Sequence, residues 1–515
     1  MTPAAAFKRD DLTSQVEEMC KGRFAAAEAE RLIEFLHAVT GGVGADDLEH
    51  QTPESLYGAV VNFWKFCQER KSGTQKVRVL NPHIEEHGYK SNHTVIEIVN
   101  DDMPFIVDSI TAALGQFNGM IHLLVHPVLN ALRDEDGQWQ GLCSPDHADV
   151  IRESIVRIEF STITDPETLQ QIEESLYSVL TDVRLAVEDW RAMLTRAGDI
   201  VADLTSNPPP LEDAEVAEGR ALLEWMIDNH FTFLGYREYD YLASQESESL
   251  EIVEGSGLGI LRQSDRRVMA RQSGRPTLSP EVREFLQKPE LVIVTKTNQR
   301  STVHRPVHLD YLGIKRFNEA GEVIGEQRFV GLFTSAAYNR NPRDIPYLRG
   351  KVARVMELAG FDKRGHAGKA LTNILDTYPR DELFQIPDDE LYSASTGILG
   401  LQERPRIRLF MRRDRFARFY SCLIYVPRER YDSELRRRFE QVLSNELGGS
   451  VSSFYTQIGD DALARLHVLL ATDTTTAETV DTPALERKLI SVARRWDDAL
   501  DEALEDRFGE EQGAR

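Results

Sequence analysis

The 515-residue sequence predicts an α+β protein of several modules, each of antiparallel sheet and packed helices, preceded by a helical N-terminal segment. Three observations predict it. Apolar residues recur at helical spacing through the first 80 residues. Strand and helix patterns then alternate as β-α-β-β-α, and a related order returns near the C-terminal end. Breaks such as Asn207-Pro208-Pro209-Pro210 part the regions.

The opening segment, 1–80, reads as helical. Phe24 to Val39 puts Leu32, Ile33 and Leu36 on one side, and Pro53 to Cys67 does the same with Leu56, Val60 and Phe63. Thr52-Pro53 suits a helix N-terminus. In 81–205, His93 to Val99 alternates and is β-branched, so it predicts a strand that Asn100-Asp101-Asp102 breaks. A helix enters through Pro104 with Phe105, Ile106, Ile110 and Leu114 as its apolar face. Ile121 to Val128 predicts a second strand, and a loop with Asp134, Asp136 and Gly137 follows. Ile151 to Phe160 is a third strand, and Pro166 to Trp190 a long amphipathic helix. This order is most of a ferredoxin-like plait whose last strand is not visible before the linker.

The middle region, 211–395, opens on a helix from Glu215 to Asn229. Strands are predicted at His230–Tyr239, Leu291–Lys296 and Gln327–Phe333, with a turn at Asn318–Gly321. Helices follow at Ile345–Leu358 and Gly368–Tyr378, and Pro379 ends the second. In 404–505, strands at Arg406–Met411 and Phe416–Val426 precede a helix from Arg428 to Leu443. Strands at Ser450–Gln457 and Ala464–Leu470 and a helix from Pro483 to Leu504 complete a shifted version of the first module. Residues 506–515 read as a tail or the start of a link to a further region.

A formal net charge of −24 argues against a general nucleic-acid face. Cys20, Cys67, Cys143 and Cys422 are far apart, so neither a disulfide framework nor a zinc pair is expected, and a reducing cytoplasm fits. The N-terminus lacks the apolar core of a signal peptide, and no run reaches about 18 apolar residues, so no membrane is expected.

Catalytic motifs are missing. Gly255-Ser256-Gly257-Leu258-Gly259 resembles a dinucleotide loop, but Ile260 follows and no Rossmann unit surrounds it, which favours a tight turn. Gly365-His366-Ala367-Gly368-Lys369-Ala370 is too short for a phosphate loop and lacks its hydroxyl. No metal ligand set emerges; His122 and His126 share a strand face but need further ligands.

Two ligand surfaces are candidates. Asp101, Asp102, Asp108 and Ser109 surround a strand end that turns directly into a helix. Free amides there can receive the carboxylate of an amino-acid effector, with Asp108 holding its ammonium, or Asp101 or Asp102 can cap the same amides. Lys296, Arg300, Arg305, Lys315 and Arg316 form a basic stretch, and Arg404, Arg406 and Arg408 alternate as three guanidiniums on one side of a strand. These cations can bind an anion or meet acidic faces of the same chain or of another subunit.

Several segments resemble the N-terminal region of the large class of bacterial NAD-specific glutamate dehydrogenases. They are Asp102-Met103-Pro104-Phe105-Ile106-Val107-Asp108-Ser109, His122 to Pro127, Asn229 to Arg237, His304 to Tyr311, Arg340 to Arg349 and Pro379 to Phe384, in order between about Asn81 and Val426. The resemblance implies ACT-like modules, one in 81–205, a second within 211–395 and a third in 404–505. It also implies a parent enzyme that oxidises L-glutamate to 2-oxoglutarate and ammonium with NAD. The family's catalytic and NAD-binding residues have no counterpart here, so no cofactor is expected in this chain. Where an ACT loop typically has glycine after the proline, this chain has Phe105, whose bulk obstructs a ligand. Three readings follow: a regulatory and oligomerisation region, partnered by the catalytic region and by further copies; an amino-acid or anion sensor; or an independent catalyst.

Overall fold

A computed structural model describes residues 3–44, 47, 51–243, 248–263, 287–401, 404–416, 418–459, 461–472, 480–494 and 507. The charged run expected to continue the last helix to Leu504 lies outside the described residues, as does the 506–515 tail apart from residue 507. The chain divides into two compact units. One is Met1–Met193 with Gly257–Arg266 and Gln299–Leu309, and the other is Leu194–Ser256 with Arg267–Asn298 and Asp310–Arg515.

The first unit opens on α1 (Pro3–Arg23), α2 (Ala26–Thr40) and α3 (Pro53–Cys67). Thr52 caps α3 by accepting from Ser55 N, with Pro53 in the first turn. The helical reading ends at Cys67. Lys76–Leu80 is a strand, β1, paired antiparallel with β2 (Thr94–Asp101). Then come α4 (Ile106–Leu114), β3 (Ile121–Val125), β4 (Val128–Arg133), β5 (Trp139–Leu142), β6 (Ile151–Phe160) and α5 (Pro166–Glu188). The strand expected from Ile121 to Val128 is therefore two strands, parted at His126-Pro127, where proline has no amide to donate. The expected loop at Asp134–Gly137 is the turn between β4 and β5, closed by Gly137 N–H to Asp134 O at 2.9 Å.

Strand order is β1-β2-β6-β4-β5, with β3 also on β6. β1 thus fills the edge beside β2 where a ferredoxin-like plait places its last strand. The strand missing after the second helix enters from before the plait instead.

Val99, Ile155, Leu129 and Ala131 on one sheet face pack with Leu32, Phe35, Leu36, Val60, Phe63 and Trp64 of the N-terminal helices. Alternate residues Ile96, Ile98, Val156 and Ile158 are buried on the other face. The apolar sides of α4 and α5, including Ile110, Leu114, Ile172, Leu176 and Leu180, are buried as well.

α6 (Trp190–Ser206) leads on to the linker. In the second unit α7 (Asp213–Trp225) precedes a sheet of long strands: β7 (Phe231–Ala243), β8 (Glu248–Ile252), β10 (Val292–Arg300), β11 (His308–Phe317) and β12 (Val323–Phe333); the two-residue β9 (Leu258–Gly259), between β8 and β10 in the chain, belongs to the first unit. Their order is β10-β11-β12-β7-β8, not the second plait expected there. The physical reason is that β10, β11 and β12 follow one another as direct neighbours with no helix between them, whereas a plait needs a helical crossover on each side of its central hairpin.

After a short helix at Ser335–Asn339 come α8 (Leu348–Ala359), α9 (His366–Thr377), α10 (Arg380–Gln385) and α11 (Asp388–Leu401). The last module is β13 (Arg408–Arg413), β14 (Phe419–Pro427), α12 (Ser433–Leu447), β15 (Gly449–Gln457), β16 (Leu463–Thr472) and α13 (Thr482–Ala493). Its order, β13-β14-β16-β15, is the β1-β2-β6-β3 order of the first module. The two modules share one topology, each with its edge strand placed first. Leu435, Phe439 and Leu443 of α12 and Leu485 and Leu489 of α13 close one sheet face over Cys422, Ile424, Leu466 and Val468.

Candidate functional site

Neither aspartate of the candidate effector loop caps α4. Asp101 accepts from Arg70 Nη2 at 2.8 Å, Arg184 Nη1 at 2.7 Å and Gly73 N at 2.9 Å. Burial acts to raise its pKa, but the hydrogen bonds and charges of Arg184 and Arg70 outweigh it and hold the carboxyl below its ordinary value. Asp102 pairs with Arg152 at 2.9 Å. The residue before α4 is Phe105, at φ 73°, with no side-chain cap. The left-handed conformation that glycine takes without cost is held here by a phenylalanine, a strain of about 1–2 kcal/mol.

The space before α4 is taken by the connection between β10 and β11. His304 N–H donates to Ser109 Oγ at 2.9 Å, and His304 Nδ1 lies 2.9 Å from Asp108 Oδ2. The His304 ring, on a residue itself at φ 68°, stands 5.1 Å from the Phe105 ring. Val303 is fully buried, and Thr302 donates to Asp182 at 2.6 Å. Asp108 and Ser109 therefore hold a segment of their own chain. At the glycine-rich turn the pattern is similar, since Gly259 N–H donates to Asp189 Oδ2 at 2.7 Å.

The basic stretch does not converge on one point. Lys296 is buried between Asp310 at 2.6 Å and Asp381 at 3.1 Å. Burial, reinforced by Asp381 and opposed by Lys296, raises the Asp310 carboxyl to about 6. Lys315 donates to Lys288 O at 2.6 Å, and burial lowers its pKa to about 8. Arg316 pairs with Asp240. Arg300 is exposed, and Arg305 is half-buried in the segment that reaches Ser109. Arg404 and Arg406 lie exposed ahead of β13, which begins only at Arg408. The expected three-guanidinium strand face is thereby corrected, because Pro405 cannot donate to a ladder. Arg408 pairs with Glu486 of α13 at 2.9 Å, one acidic helix of the same chain supplying the compensation.

Sequence reasoning gave no site role to the six-residue α10. Its Asp381 binds Lys296 and accepts from Tyr338 Oη at 2.8 Å. Its Glu382 takes Arg412 Nε and Nη2 at 2.5 and 2.9 Å. Near its end Lys351 Nζ donates to the carbonyls of Leu383, Phe384 and Ile386 at 3.1, 3.3 and 2.7 Å. Lys351 is buried, and that burial lowers its pKa to about 7. Arg418, held by Asp414 at 2.6 Å, donates to Thr295 at 3.0 Å. The crevice beside this cluster has room for about one water. The signal in the sequence was the set of charges inside an otherwise apolar stretch, Arg380-Asp381-Glu382-Leu383-Phe384.

The first module repeats the device. Glu97 is buried between Arg78 and Arg157, aligned across three strands, and Glu153 takes Arg70 Nη2 and Arg133 Nε, both at 2.6 Å. Each plait thus turns one face to its own two helices and places buried Arg–carboxylate pairs on the face met by further helices. No group of His, Cys, Asp and Glu able to hold a metal occurs among the described residues. No described helix is long and apolar enough to cross a membrane.

Two plaits of this topology fit the ACT-like class, and comparison with known families assigns it. Residues 35–176 match the model of the glutamate dehydrogenase ACT1 domain, 408–497 that of its ACT2 domain, and 345–404 that of its helical motif 1. The NAD-specific glutamate dehydrogenase of Halomonas elongata is 38% identical over 506 residues, 98% of this chain and 31% of that protein. That of Pseudomonas aeruginosa is 35% identical over 475 residues, 92% and 29% respectively. That of Mycobacterium tuberculosis is 26% identical over 430 residues, 79% and 25%. The chain belongs to this family of large NAD-specific glutamate dehydrogenases and corresponds to its N-terminal part. It spans about a third of the length of the curated relatives it matches.

Proposed function

We propose that this chain is the non-catalytic regulatory and oligomerisation region of an NAD-dependent glutamate dehydrogenase of the bacterial cytoplasm. The parent reaction takes L-glutamate, NAD and water to 2-oxoglutarate, ammonium and NADH. The observation that carries the reading is how the polar side chains are spent. Asp101, Asp108, Ser109, Lys296, Glu382 and Arg412 hold elements of their own chain together. Groups fixed in this way give the rigidity a scaffold needs to position distant catalytic domains. Amino-acid sensing at α4 is the alternative, and the segment around His304 counts against it because it already occupies Asp108 and Ser109.

The test is glutamate-dependent NAD reduction by the purified 515-residue chain beside the full-length Halomonas elongata relative. Activity in the relative alone is expected. Comparable activity in both would overturn the proposal and direct attention to an independent catalytic site.

A further inference from the structure

Bonds across the chain bring the segment 340–344 against the junction of α9 and α10 at 376–380. A single 3₁₀ turn, Pro342–Asp344, is capped by Asn341 Oδ1, which accepts from Arg343 N at 2.9 Å and from Arg343 Nε at 3.1 Å. The Asn341 amide donates to Asp376 Oδ2 at 3.0 Å, and Arg343 Nη2 donates to the same oxygen at 2.9 Å. Arg380 Nη2 donates to Arg340 O at 2.9 Å. Three arginines thus gather by one buried carboxylate oxygen.

The bonding there is incomplete on both sides. Arg380 is 8% exposed, yet its Nε and Nη1 are buried and meet no acceptor among the described residues. Asp376 Oδ1 is buried and meets no donor. Asp376 is the carboxylate whose charge bears on Arg380, and burial outweighs it, pulling the arginine below its ordinary pKa. A guanidinium keeps its proton all the same, so its buried donors need an acceptor. The missing group must accept from a guanidinium and donate to a carboxylate. A water does both and leaves the charge uncompensated. Arg340, Arg343 and Arg380 stand against Asp376 and the exposed Asp344, and Arg340, itself exposed, pairs with no described carboxylate. An oxyanion that carries a hydrogen satisfies the bonds and the charge together. Inorganic phosphate keeps a P–OH at neutral pH. Sulfate has none and would set bare oxygens against Asp376 Oδ1, and a phosphomonoester loses its own as pH rises past about 6.

We propose that the 340–344 turn and the α9–α10 junction form a binding site for inorganic phosphate, with Arg380 and Arg340 donating to its oxygens and Asp376 Oδ1 accepting from its hydroxyl. The anion enters past the exposed Arg340 and Arg343 side chains. Arg380 opens α10, whose next two residues hold Lys296 and Arg412, so occupancy bears on how that helix is fixed.

The test uses the whole 515-residue chain in phosphate-free buffer, read by titration calorimetry and by melting temperature. Inorganic phosphate should bind saturably at one site and raise the melting temperature. Sulfate at matched ionic strength, and glycerol phosphate at about pH 8, should bind at least about tenfold more weakly for want of one charged hydrogen bond. Arg380→Met should abolish binding. Arg340→Met, at an exposed position, should weaken phosphate at least about tenfold while the phosphate-free melting temperature stays unchanged. Asp376→Asn, which offers a donor in place of the acceptor, should let sulfate bind as well as phosphate. Equal binding of sulfate by the unsubstituted chain overturns the hydroxyl contact and with it the choice of phosphate. No saturable phosphate signal, or one that Arg340→Met and Arg380→Met leave unchanged, overturns the site.

Discussion

Glu382 and Arg412 offer the sharpest test of what binds the helical motif to the second ACT plait. Their side chains are 2 and 4% exposed, and two parallel hydrogen bonds of 2.5 and 2.9 Å join them. Replacing Glu382 by leucine leaves a guanidinium out of water beside Arg413 O at 3.5 Å. Breaking a buried pair from one side costs about 3–5 kcal/mol, whereas replacing both members with apolar residues is often nearly neutral. Glu382→Leu should therefore cost about 3–5 kcal/mol, and Glu382→Leu with Arg412→Met markedly less than the two single costs together. The assay is native-state hydrogen exchange of peptides covering Arg380–Gln385 and Arg408–Arg413. At about 1.4 kcal/mol per decade, protection should fall by roughly two to three and a half decades in the single variant and recover in the double. A loss under about 1 kcal/mol in Glu382→Leu, or strictly additive costs, would refute the argument that this pair clamps the interface.

The same pair has a pH signature. Burial acts to raise the pKa of Glu382, and the charge and hydrogen bonds of Arg412 outweigh it, so the folded value lies below the ordinary 4.5. Its stabilisation is present above pH 4.5 and is lost as pH falls through the folded value, so Glu382→Gln should flatten the acid limb of the stability–pH curve. For Lys351 the sign reverses. Its pKa is lowered from 10.5 to about 7, so its contribution is fully present above pH 10.5 and is lost as pH falls through 7. The melting-temperature difference between Lys351→Met and the unsubstituted chain should thus shift in favour of the unsubstituted chain between pH 7 and 10, and no shift would count against burial as the cause. A Cβ added at Gly331 would run into the Thr232 carbonyl and the Phe231 ring, so Gly331→Ala should cost at least about 1–3 kcal/mol by urea denaturation. Because the His304 segment occupies Asp108 and Ser109, a panel of amino acids should leave the melting temperature unmoved in the unsubstituted chain and in Asp108→Ala alike; stabilisation by one of them, lost in Asp108→Ala, would restore the sensing reading.

Local pattern made much of the fold legible. The β-branched alternation of Thr94–Val99, the amphipathic run from Pro166, the Thr52-Pro53 cap and the Gly448-Gly449 break are decided by near neighbours, which a sequence displays. The resemblance carried by segments such as Asp102–Ser109 was likewise readable, and the matched ACT and helical domains agree with it. Partnership across the chain was not readable. β1 is five residues long and becomes a strand because β2 offers it a ladder, which also resolves the absent last strand of the plait.

The fate of the candidate ligands was decided at the same level. Sequence places Asp101, Asp108 and Ser109 around a helix start, and it places cations at 296–316. Only tertiary structure brings Arg70 and Arg184 to Asp101, His304 to Ser109, and Asp381 to Lys296, across separations of 31, 83, 195 and 85 positions. Residue type and spacing determine which groups can bind a charge. Which charge they bind depends on contacts formed by burial of distant segments together, and at that range the local code of helix and strand carries no information.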